Sequence, residues 1–192
     1  NYIDNPMVWV ATLYQGKDIV FLRNINFNHS QDVYASIVAS PRFGWYNPMA
    51  EIDYSQSFLH TDGFDINKPS NRPCFNFRLN NRFNITRSLK AFLNMRYKTS
   101  QLNDLQYTKP FARVDVKLTK SFLNDALEIG VYANDLFKTD KERWTMYGSH
   151  TIMTKDCYGY ERCVGMTVSY NFNTAKSKYK GTGAGNAEKR RL

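Results

Sequence analysis

Residues 111–137 alternate apolar and polar side chains twice over, and few folds accept that pattern. Ala112, Val114, Val116 and Leu118 fall on one face of the first arm, with Arg113, Asp115, Lys117 and Thr119 on the other. In the second arm Leu127, Ile129, Val131 and Ala133 alternate with Glu128, Gly130, Tyr132 and Asn134. A period of two is the strand period, because successive side chains leave a pleated backbone on opposite faces. Leu123-Asn124-Asp125 between the arms is a tight polar turn. Each arm is about ten residues long, the length a tilted strand needs to cross the hydrocarbon of a bilayer. A strand of a soluble protein is usually nearer five or six. The apolar face would meet lipid and the charged face a wet lumen. Val114, Val116, Ile129 and Val131 are therefore expected to face lipid, as are Met166 and Val168 in the last predicted strand.

Composition fits that reading. The chain has 192 residues and 15% aromatics, yet its mean hydropathy is only −0.56. A polar average with many aromatics suits a barrel with a polar inside, an apolar belt and aromatic girdles, although a large soluble β-sandwich also fits composition alone. No apolar run reaches the eighteen residues of a spanning helix, which says nothing about strands. The first residues lack the basic-then-apolar order of a secretory leader, so in an exported protein the true N-terminus is removed or lies upstream. The formal net charge of +9 brings nucleic acid to mind, but the distribution argues against it. From Ala175 onward, Lys176, Lys178, Lys180, Lys189, Arg190 and Arg191 stand against Glu188 alone, a surplus of +5 on one tail. Elsewhere Arg and Lys alternate with apolar residues along strands. No nucleic-acid partner is expected.

Along the chain, residues 7–15 predict an ascending strand, and 18–43 a long descending one bulged near 26–31. Trp45 and Tyr46 mark an interfacial turn. Strands are predicted over 50–58, 74–85, 89–98, the two arms and 163–173. Connections at 44–48, 86–88 and 123–125 are short; those at 60–73, 101–110 and 138–162 are predicted as long loops. Short turns at one end and long loops at the other are the arrangement of outer-membrane barrels, with the short end periplasmic.

The predicted lumen-facing charges are Glu51, Asp53, Arg78, Arg82, Lys90, Arg96, Lys98, Arg113, Asp115, Lys117 and Glu128. They read as a wall against an acidic plug or polar substrate, or simply as solvated cross-strand pairs. Trp144, Tyr147, Tyr158 and Tyr160 in the longest loop would stack on a sugar, dock a lipoprotein, or pack the loop. His29, His60 and His150 show no H-x-x-x-H or H-E-x-x-H spacing, so they read as solvated rather than as metal or protease residues. No catalytic residue, metal site or cofactor is expected, and the chain reads as a non-enzyme. Cys157 and Cys163 flank five residues of that loop and are a candidate disulfide in an oxidising compartment. The alternative is two free thiols; Cys74 has no evident partner.

The ending VSYNFNTAKSKYKGTGAGNAEKRRL, with YANDLF in the strand before it, resembles the C-terminus of Bacteroidota TonB-dependent receptor-like proteins, specifically the outer membrane protein beta-barrel family. The resemblance runs from about Asn5 to Leu192 and is most specific over 167–192. It implies an N-terminal plug and a barrel of about 22 strands that imports large nutrients driven through TonB, with a surface lipoprotein as a further partner. The chain departs from that pattern in being short, with neither plug nor TonB-contacting segment. The resulting expectation is all-β: an antiparallel up-and-down meander of about eight long strands in a larger transmembrane barrel. Residues 1–173 would be the C-terminal part of that barrel, and 174–192 a basic, Gly-rich periplasmic tail. The expected place is the cell outer membrane, with lipid and the remaining strands and plug of the same protein as partners. A self-contained eight-stranded barrel with a structural or adhesive role, and a soluble β-rich binding domain, remain as alternatives. The inward cations exceed the inward acids, and an eight-stranded interior is just wide enough for its own side chains. The eight strands are therefore expected not to close.

Overall fold

The computed structural model of the chain describes residues 1–14, 19–158 and 162–172. Its strands are β1 (Tyr2–Asp4), β2 (Met7–Leu13), β3 (Val20–Asn26), β4 (His29–Ala39), β5 (Tyr46–Leu59), β6 (Cys74–Asn84), β7 (Leu89–Lys98), β8 (Gln101–Asn103), β9 (Gln106–Thr108), β10 (Phe111–Phe122), β11 (Leu127–Asn134), β12 (Lys141–Tyr147), β13 (Ile152–Tyr158) and β14 (Cys163–Tyr170). An eight-stranded sheet has the order β1-β4-β5-β6-β7-β10-β11-β14, a four-stranded sheet runs β13-β12-β9-β8, and β2 pairs with β3. Adjacent strands are antiparallel throughout. The predicted tail at 174–192, residues 15–18 and Tyr160 lie outside the described residues.

The main sheet follows the period-two pattern closely. Leu118 stands opposite Val131, and Val116 opposite Ala133; Val131 in turn faces Met166, and Ile129 faces Val168. Leu123, Asn124 and Asp125 close the β10–β11 turn at φ of 53°, 55° and 68°. Asn and Asp tolerate that left-handed region, and a leucine there is uncommon. Gly44 takes the turn before β5 at φ 63°. Thr86 accepts the backbone N–H of Leu89 on its hydroxyl at 3.0 Å, which folds the β6–β7 turn. These short turns all lie at one end of the sheet.

At the other end the structure differs from the sequence reading. Residues 7–15 are not a strand of the main sheet. β2 pairs with β3 and meets Ser149 through a single bridge at Thr12, and β1 instead takes the place beside β4. The expected continuous strand over 18–43 is broken at Phe27, which is buried to 1% exposure. Its N–H reaches Pro6 O at 2.9 Å, while Asn5 N–H reaches Asn28 O at 3.0 Å. Burying one phenyl ring under the hairpin outweighs continuing the ladder. The predicted loops at 101–110 and 138–162 contain strands, β8 and β9 in one, β12 and β13 in the other, and these pair into one small sheet. Only 60–73 stays irregular, folding Phe64 against Phe27 at 4.6 Å.

The buried core therefore sits at this loop end, where Val8, Val10, Phe27, Leu59 and Leu105 cluster with Ile25 and Ile66 packed against them. The main sheet has no such cover. Ile37 is 73% exposed, Val164 74%, Met166 66% and Val168 60%. Among the described residues β14 pairs on one side only, with β11. β4 meets β1 only through His29, Ser30 and Gln31, so its lower part is a free edge. A long, flat, apolar free edge invites further pairing.

Candidate functional site

One face of the main sheet gathers the charges. Register places Glu51 beside Arg78, Arg78 beside Arg96, and Arg96 beside Arg113. Like charges directly opposite are unfavourable, and carboxylates relieve the two ends of the arginine row. Arg78 pairs with Glu51 and, at 2.9 Å, with Asp53. Asp53 also accepts hydrogen bonds from Tyr34 at 3.1 Å, Ser36 at 2.8 Å and Asn76 at 2.8 Å. Arg113 pairs with Asp115 at 2.9 Å and Asp140 at 2.8 Å. Arg96 makes no ion pair among the described residues; it donates to Asn76 at 3.4 Å and lies over the Phe111 ring at 5.2 Å. The row lines an open cleft of about 400 Å³, with Asn80, Asn94 and Asp140 along its walls.

The YANDLF segment ties this cleft to the end of β11. Asp115 accepts the N–H of Asp135 at 2.8 Å. Asp135, 1% exposed, accepts the N–H of Thr139 at 2.8 Å and of Asp140 at 3.2 Å. Local side-chain acceptors of this kind satisfy backbone donors that a turn leaves free. The turn thereby holds Asp140 against Arg113. Sequence reading missed Asp135 and Asp140, because a turn carboxylate leaves no periodic signal.

Toward the turn end the same face carries mostly cations, with Glu128 as the acid among them. Arg82, Phe92, Lys117 and Tyr132 share one cross-strand row; Asn84, Lys90, Thr119 and Gly130 form the next. Arg82 donates to Asn84 at 3.2 Å and lies 6.0 Å from the Phe92 ring centroid. Glu128 stands beside Ser121 and Ser169. Tyr132 lies across Gly165, where any Cβ would run into its hydroxyl. The candidate lipid-facing residues Val114, Val116, Ile129, Val131, Met166 and Val168 share the opposite face. Polar residues interrupt that face at Gln56 and Lys120, and at Asn81, 4% exposed. Asn81 accepts from Tyr46 at 2.7 Å and donates to Leu93 O at 3.0 Å.

At the loop end, Lys68 donates to Leu59 O at 2.7 Å. Burial holds its ammonium below the ordinary value, and Asp104 nearby partly restores it. Burial likewise raises the Asp104 carboxyl, and Asp32 adds to the rise. His29 stacks on His60 with ring centroids 3.9 Å apart, and His150 lies 3.7 Å from Asp65. Among the described residues no group of three or more His, Cys, Asp or Glu could hold a metal ion. The candidate disulfide is not formed. Cys74, Cys157 and Cys163 are free; Cys157 donates to Glu142 at 3.7 Å, and Cys163 accepts from Asn134 at 3.4 Å. Trp144 donates to Glu142 at 3.0 Å, and Tyr158 receives Lys138 and Lys141, each 4.9 Å from its ring centroid.

The arrangement is a wall that can hold and orient charged or hydrogen-bonding groups. It is ion-paired toward the loops, and richer in cations than in acids toward the turns. The model of the outer membrane protein beta-barrel family matches residues 1–170 of the chain. No curated protein and no solved structure matches it.

Proposed function

The chain belongs to the outer membrane protein beta-barrel family and is an outer-membrane protein, and on that premise we propose that it is a segment of a TonB-dependent receptor barrel for active nutrient uptake. The observation that carries the reading is an eight-stranded sheet with one charged face, one exposed apolar face and, among the described residues, two unpaired edges. Unpaired backbone is intolerable in lipid, so both edges call for further strands. About 22 strands enclose a lumen wide enough for a plug, and a wide lumen hydrates the cations that a narrow one would bury at a cost of several kcal/mol each.

In this reading the apolar face meets lipid, the charged face lines the lumen and the short turns are periplasmic. The small sheet, the β2–β3 hairpin and 60–73 form the extracellular end. Ligand is held by extracellular loops and plug, then released when TonB pulls the plug; the barrel is not a catalyst and needs no cofactor. A surface lipoprotein is a further partner, and the source is a member of the Bacteroidota. A self-contained barrel with a structural or adhesive role would require β4 to pair with β14. A soluble binding domain does not accommodate the exposed apolar face.

A growth test addresses transport. Cells should lose growth on a particular nutrient when the gene for the complete protein is deleted, and lose it equally when TonB is removed. Growth that needs the protein but not TonB would contradict the reading, as would a deletion without effect on any nutrient source.

A further inference from the structure

The apolar face is not smooth. Ala91 stands beside Phe83, Ala112 beside Tyr97, and Ala133 between Val116 and Val164, so recesses open between larger side chains. One recess, about 380 Å³, lies between Phe77, Met95 and Val114. A second, about 450 Å³, lies nearer the turn end, bordered by Phe83, Ala91, Leu93, Val116, Val131 and Ala133. Both use β7 and β10, so they succeed one another along the strands as an apolar groove.

The groove ends on a cation. Lys120 has the parity of Val114, Val116 and Leu118, which puts it on the apolar face. It stands between Leu89 and Ile129, one row below Leu118 and Ala91 at the floor of the second recess. Its ammonium makes no ion pair among the described residues and lies 5.5 Å from the centroid of the Phe122 ring. Arg87, exposed and without an ion pair among the described residues, occupies the adjoining turn, which is bound to β10 through Ser121 N–H to Ser88 O at 2.8 Å. A lysine on an apolar face beside a phenyl ring is a group set at the depth of lipid headgroups.

We propose that this groove binds a phospholipid with an anionic headgroup, one acyl chain lying over Ala91 and Ala133 and the phosphate held by Lys120, with Arg87 beside it. Charge and shape argue together for that occupant. Although Tyr97 and Tyr132 are among the lining residues, the surface the recesses present is almost wholly apolar, which suits an acyl chain better than a polypeptide backbone. Basic groups at the membrane surface attract anionic lipid, and both cations lie at one end of the groove. The inference rests on the lipid-facing assignment of this face and not on transport, so the growth test above and the lipid test below fail independently.

The complete protein, extracted in mild detergent, is offered phosphatidylglycerol or phosphatidylcholine of identical acyl chains and examined by native mass spectrometry. The parent should retain phosphatidylglycerol in preference. Lys120→Gln should weaken that retention about fivefold, the value of one interfacial cation, while Lys120→Arg keeps it. Ala91→Trp fills the recess and should abolish retention; Ala133→Leu, a smaller change, should reduce it. Heat-modifiable migration in gels verifies that each variant is folded. Equal retention of the two lipids by the parent, or unchanged phosphatidylglycerol retention in folded Lys120→Gln or Ala133→Leu, overturns the proposal.

Discussion

Asp135 illustrates what a single residue contributes. Its buried carboxylate satisfies the N–H groups of Thr139 and Asp140, and removing it leaves both donors without that acceptor. Thr139 is exposed and Asp140 half-buried, so water replaces part of the lost acceptor and the cost falls toward the low end of the range for a buried donor, about 1–3 kcal/mol. Asp135→Ala should therefore destabilise the folded protein by about 1–2 kcal/mol in urea titration, and Asp135→Asn, which keeps one acceptor oxygen, by clearly less. Equal stability of Asp135→Ala and the parent would remove the knot from the account. Glu142 supplies a pH signature. Hydrogen bonds from Lys155 first, then Trp144, lower its carboxyl below 4.5, and the Glu142 hydrogen bond raises Lys155 above 10.5. A lowered carboxyl contributes above 4.5 and loses that contribution as pH falls through its folded value; a raised ammonium contributes below 10.5 and loses it as pH rises further. The Trp144 indole resonance should thus hold steady between those limits and move only on acidification below pH 4.5 or alkalinisation above 10.5. A transition centred near pH 6 would contradict the pairing. At this scale the charges' common face was legible because alternation sets them apart from the apolar residues. Asn81 was not, since it sits on the apolar side, and only Tyr46 and the Leu93 carbonyl explain it.

At the scale of elements, facing is the testable property. Single cysteines at Val114, Val116, Ile129, Val131, Met166 and Val168 should react with a lipid-soluble maleimide in the outer membrane, while those at Asp115, Glu128 and Thr167 should be spared. The reverse pattern would contradict the sheet's register, because a one-residue slip turns every side chain to the other face. The hairpin 111–137 was readable from sequence because both its faces have one solvent each. The strands of the loop end were not. β8 and β9 are three residues each, too short to show a period. β12, KERWTMY, mixes charge and aromatic on both faces, its burial set by the neighbours it happens to pack against. The run MVWVATL of β2 was correctly seen as a strand but assigned to the membrane. Its uninterrupted apolar character is that of a strand buried in a core, here with Val8 and Val10 against Phe27 and Leu105.

For the whole molecule the central claim is that the eight-stranded sheet does not close on itself. Alternation and the balance of inward charge suggested an open sheet. Which strand forms the first edge was hidden, because the chain leaves the sheet at Asp4 and returns only at His29. Disulfide trapping in the complete protein, in its membrane, examines the claim most directly. With Cys74, Cys157 and Cys163 replaced by serine, cysteine pairs are placed at Val33, Ala35 or Ile37 of β4 and at Val164, Met166 or Val168 of β14, and a Val116–Ala133 pair serves as the in-register control. The account predicts that the control pair oxidises readily and that no β4–β14 pair does. Efficient oxidation of any β4–β14 pair would mean that these edges meet, and would contradict it.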